Sequence, residues 1–89
     1  MTIDDAEVYF KSKGYDVAET KYFSDRTLII GVLKKTNFGI QVMTNSIHLY
    51  FEREEWVIKI TPHGQEHIEL RCCNYEEAIT LAENQLNNF

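Results

Sequence analysis

The chain has 89 residues, of which 44% are hydrophobic and 26% charged, with one proline and four glycines. That describes one globular domain with a modest core, since a chain of this length buries roughly 60–65% of the surface it exposes when unfolded. Fourteen acids against nine bases give a net charge of −5, which argues against phosphate backbones and anionic lipid and favours basic partners or none.

The opening MTIDDAEVYFKSKG carries acids where a secretory leader needs lysines, and it has no apolar stretch of leader length. Its pattern predicts a helix over 3–13. Ile3, Ala6 and Phe10 follow helical spacing, Asp4, Asp5 and Glu7 suit the positive end of the helix dipole, and Gly14 is a natural stop. Thr2 with Asp5 three residues on forms a weak capping box. Beyond Gly14 the period shortens. Tyr15, Val17 and Tyr22-Phe23 suggest a first, loosely alternating strand, and Ser24-Asp25-Arg26 a turn.

Residues 27–33 are apolar at both parities, as in a strand buried on both faces. Their core, Leu28-Ile29-Ile30-Gly31-Val32-Leu33, is the longest apolar run and falls far short of the ~20 residues a membrane span needs. A cytoplasmic protein with no membrane partner is therefore expected. Lys34 to Asn37 reads as a polar turn. Phe38, Ile40 and Val42 then alternate as one strand, Thr44-Asn45 turns the chain, and Ile47, Leu49 and Phe51 alternate as the next. Glu52 to Glu55 is a charged turn, after which Trp56, Ile58 and Ile60 alternate, followed by Ile68, Leu70 and Cys72. From Asn74, with Glu77 at the third helical position, a capped helix is predicted over 75–87.

Short turns between strands require antiparallel pairing, because a parallel crossover needs a dozen or more residues. The expected fold is α+β: a single domain over 1–89 of order α-β-β-β-β-β-β-α. Its five- or six-stranded antiparallel meander carries the N-terminal and C-terminal helices on one face.

Residues 63–67, His63-Gly64-Gln65-Glu66-His67, match the H-x-x-E-H string of one zinc-peptidase class. That chemistry needs a helix that puts both histidines on one face. Here the string lies between two runs of period two and holds Pro62 and Gly64, so a hairpin connection with solvated histidines is expected, and no metal or cofactor. Cys72 shares the parity of Ile68 and Leu70 and should be buried, with Cys73 facing outward; no general base can be placed beside it. No glycine-rich phosphate loop and no G-x-S-x-G is present, and the acids sit where capping and turns place them. Lys34-Lys35, the one basic doublet, reads as a solvated turn.

Coverage of the sheet points to partners. Six strands span roughly 29 Å and two helices about 20 Å, so one face stays unroofed. With Phe38, Ile40, Val42 and the alternating apolar residues that follow assigned to the helix side, the other side carries Met43, His48, Tyr50 and Val57 among charged neighbours. An apolar patch there would suit protein association.

The functional expectation is a small acidic, non-enzymatic protein-binding module, of the kind found among inhibitors and immunity proteins. An inhibitor of a nucleic-acid-binding enzyme is one version. It would bind a protein or a second copy through Met43, His48, Tyr50 and Val57, or through Glu52, Glu54 and Glu55 and then Asp4, Asp5, Glu76 and Glu77. Two alternatives remain open: single-stranded nucleic acid on the sheet face, by aromatic stacking, and metal or thiol chemistry at His63, His67 and Cys73.

Overall fold

A computed structural model describes residues 2–21, 23–60 and 68–87, with the backbone alone described at Lys34 and over 42–45. It has α1 (Ile3–Ser12), β1 (Asp16–Thr20), β2 (Thr27–Lys35), β3 (Gln41–Glu52), β4 (Glu55–Ile60), β5 (Ile68–Cys72) and α2 (Tyr75–Asn87). The strands form one open antiparallel sheet in the order β1-β2-β3-β4-β5, an α+β meander.

Both helices begin where the sequence signals them. The Thr2 backbone N–H donates to Asp5 Oδ2 at 2.7 Å, and the Asn74 side-chain oxygen accepts the Glu77 N–H at 3.2 Å. Each bond satisfies a donor that the first helical turn leaves without a partner. Gly14 follows α1 with φ +91°, a left-handed conformation that suits a residue without Cβ.

The helices cover the same face. Ala6 and Phe10 of α1 and Ala78, Ile79 and Ala82 of α2 form one cluster with Leu28, Ile30, Ile47, Leu49, Trp56, Ile58, Ile60 and Cys72. These are the alternating residues of β2 to β5, as period two requires. Each large member contributes about 1.5–3 kcal/mol by leaving water. α1 lies over β1 and β2, and α2 over β3, β4 and β5. The Tyr9 hydroxyl donates to Glu83, tying α1 to α2.

Two expectations about strands are corrected. Residues expected to form separate strands on either side of a turn at Thr44-Asn45 form the single strand β3. The register between β2 and β3 shifts between Ile30 and Val32, so the irregularity read as a turn is a bulge. Phe38 and Ile40, assigned to the helix side, instead stand at a hairpin tip with 90% and 60% of their surface exposed.

The pH dependence of stability follows from two carboxylates. The Thr2 N–H holds the Asp5 carboxyl below its ordinary range, and the Arg71 guanidinium does the same for Glu69. A folded-state pKa below the unfolded one gives stability that is present above the unfolded value and lost as pH falls through the folded one. Stability should therefore fall as pH drops below about 4. Asp5→Asn should flatten that acid limb in urea titrations run at successive pH values; an unchanged limb would remove Asp5 from the account.

Candidate functional site

The face that carries no helix has its own small core. In register across it lie Thr27, Tyr50, Val57 and Arg71, and beside them Ile29, His48, Lys59 and Glu69. Tyr50 is 2% exposed and Val57 0%. Phe23, in the loop between β1 and β2, stacks on the Tyr50 ring at 5.6 Å and meets the His48 ring edge-on at 5.2 Å. Lys59 Nζ lies 4.1 Å from the centre of the Phe23 ring and 3.6 Å from Glu69 Oε1. Cation–π and ion-pair contacts of this kind draw the long lysine stem across the apolar surface.

The four apolar or aromatic residues singled out on this face are thus placed unequally. Tyr50 and Val57 are interior, half-buried His48 lies against Phe23, and Met43 contributes only its backbone to the described structure, opposite Leu33. Phe23 was not picked out as the cover, because its position depends on how the loop folds back and periodicity carries no such information. The acids lie at the β3–β4 turn: Glu52 pairs across the strands with Glu55, Glu55 lies 3.5 Å from Arg71, and Glu54 is exposed. His63 and His67 fall outside the described residues. Among the described residues no group of three or more His, Cys, Asp or Glu is arranged to hold a metal. Cys72 is buried and Cys73 exposed, both as free thiols, and burial raises the Cys72 pKa.

Among the described residues, a group of exposed apolar side chains lies elsewhere. β1 pairs only with residues 27–31 of β2, and β4 only with residues 47–52 of β3. Among the described residues, the rest of β2 and β3 continues as a two-stranded arm. Its end is well formed: the Thr36 N–H donates to the Ile40 carbonyl at 2.8 Å and the Gly39 N–H to the Thr36 carbonyl at 3.0 Å. Thr36 Oγ1 also accepts the Phe38 and Ile40 N–H groups. Gly39, at φ +80°, supplies the left-handed residue that a three-residue hairpin loop needs. Asp16 Oδ2 accepts the Leu33 N–H at 2.7 Å and fixes the base of the arm. On this ordered support stand Phe38 (90% exposed), Ile40 (60%), Leu33 (43%) and Val32 (41%).

At the opposite end lies a cleft of about 590 Å³ between the start of α1, the β1–β2 loop and the β3–β4 turn. Ile3, Phe51 and Trp56 supply apolar walls, and Asp25 and Glu52 charge them. Arg26 also lines the cleft but is spoken for: it bonds Asp4, Glu7 Oε1 at 2.8 Å and Glu19 Oε1 at 3.1 Å. Asp4 first, and then Glu19, raise the Arg26 pKa.

Comparison with protein families, with curated proteins and with solved structures finds no match to this chain. No helix among the described residues is long and apolar enough to cross a membrane.

Proposed function

We propose that this protein is a small non-enzymatic binding module that grips a protein partner with its β2–β3 arm. The observation that carries the reading is Phe38, 90% exposed at the tip of a hydrogen-bonded hairpin and accompanied by Ile40, Leu33 and Val32. Exposing large side chains on an ordered support costs solubility, and such surfaces characteristically mark association sites. An aromatic held on a hydrogen-bonded turn is also a favourable anchor, since part of the ordering cost of binding is already met.

This shifts the binding surface from the sheet face to the arm. His48 and Met43 stay as flanking candidates. Glu52, Glu54 and Glu55 stay as electrostatic ones, suited to a basic partner. Inhibitor or immunity-type action is the version in which occupancy of the partner blocks it. Cytoplasmic action fits the two free thiols. The alternative, single-stranded nucleic acid on the second face, would use Phe23, His48 and Lys59; it requires salt-sensitive oligonucleotide binding at low micromolar protein.

The test is retention from host extract on immobilised full-length chain, with the unaltered protein compared with Phe38→Ser/Ile40→Ser. A polypeptide held in stoichiometric amount by the first and lost from the second is the expected result. Equal retention by both would remove the arm from the account. Because both positions are exposed, the double variant should keep its stability to within about 0.5 kcal/mol.

A further inference from the structure

The topology separates charge along the molecule. β2 runs away from the cleft and β3 returns to it, so the chain ends of every element fall at one of two poles. Both helices begin at the cleft pole: Ile3 of α1 lines the cleft with Trp56, and Tyr75 at the start of α2 meets the Trp56 ring at 5.4 Å. Acids favoured at helix starts therefore join those of the turns there: Asp4, Asp5, Asp25, Glu52, Glu54, Glu55, Glu76 and Glu77. Residues 27–51, which include the arm, hold Lys34 and Lys35 and no acid, while all fourteen acids of the chain lie outside them. The arm pole is basic and apolar. The cleft pole is acidic and concave.

We propose that the arm's occupant is a second copy of this chain. In a closed two-fold pair, Phe38 of each copy seats in the other's cleft, against Ile3, Phe51 and Trp56, with the positive charge of the arm set against Asp25 and Glu52. This rests on the reading of the arm as the binding element and names its partner. The arm cannot fill its own cleft. From Gln41 to Phe51 the β3 strand extends roughly 33 Å, so the two features lie at opposite ends of the same strand pair.

The cleft, at about 590 Å³, lies within the ~300–1,000 Å³ range of sites that engulf apolar groups, and Phe51 at 47% exposure leaves its wall open to one. Side-by-side antiparallel packing sets each basic pole against an acidic one. It makes two contacts in a single association, whereas each head-to-tail step makes only one.

Sedimentation of the purified full chain from about 1 to 300 μM reads the result. A dimer is expected near 50 mM salt, weakening about tenfold or more at 0.5 M as the pole-to-pole attraction is screened. Phe38→Ser should weaken it about 30-fold or more, as loss of an anchor side chain does. The charge variants close the argument. Lys34→Glu/Lys35→Glu alone and Asp25→Lys/Glu52→Lys alone should each be monomeric. Their equal mixture should recover the dimer, because both contacts are then attractive again.

A monomer throughout overturns the pairing and leaves the extract comparison to judge the arm separately. Dimerisation of Asp25→Lys/Glu52→Lys as strongly as the unaltered chain means that arms pair with arms, and overturns it too. A mass that grows without limit overturns the closed form.

Discussion

Tyr50→Ala is expected to lower the unfolding free energy by about 3–5 kcal/mol, as truncation of a buried aromatic does elsewhere. The residue lies on the sheet face without helices, where a truncation at an exposed site costs within about 0.5 kcal/mol. It is nonetheless 2% exposed, stacked under Phe23 and in register with the fully buried Val57. The loss should match that of Phe10→Ala, whose ring sits at 0% exposure in the main core. Either change would remove a large part of the ~4–13 kcal/mol that a domain of this length commands. Urea unfolding followed by the fluorescence of Trp56, the chain's one tryptophan, measures both. A Tyr50→Ala loss below about 1 kcal/mol would mean that Phe23 does not close that face in solution.

Replacing Arg53 by Asn and Glu54 by Gly should act in the other direction, raising stability by about 1–2 kcal/mol. These residues form the two-residue connection between β3 and β4, with Glu52 and Glu55 paired on either side. Both have positive φ, +52° and +66°, in a turn that Asn-Gly adopts far more readily. A left-handed conformation costs a residue with a Cβ roughly 1–2 kcal/mol. The greater freedom of glycine in the unfolded chain offsets part of the relief. A thermal midpoint higher by about 4–8 °C per kcal/mol is the readout for a domain of this size. No rise would show that Arg53 and Glu54 make compensating interactions, and Arg53→Val should lower the midpoint because a branched side chain resists that conformation most. The substitution also separates backbone from charge: it removes Glu54 while leaving Glu52 and Glu55 to act on any basic partner.

Thr36, Asn37 and Gly39 are turn formers, but an alternating Phe38, Ile40 and Val42 suggests a strand and pulls the expected turn back to Lys34–Asn37. That alternation points Phe38 and Ile40 to the core, whereas the hairpin leaves both exposed. The hairpin centred on Phe38 is visible only once the register between Lys35 and Gln41 is known. The bulge opposite Ile30–Val32 has the same character, because Thr44-Asn45 carries turn chemistry and nothing local says that pairing continues through it.

By itself the chain determined what depends on near neighbours: two capped helices with acidic starts, strands of period two, antiparallel order forced by short connections, and the inward parity of Cys72. Those features are set by hydrogen bonds and side-chain directions within a few residues. Tertiary structure alone decided what lies over what. Phe23 folding back closes a face that strand counting leaves open, and the lengths over which β1 and β4 pair with their neighbours leave the arm beyond them among the described residues. The topology gathers eight of the fourteen acids at the pole opposite the arm lysines. Each of these arises from contacts between residues far apart in sequence, where burial and charge depend on the assembled surface and no local pattern records them.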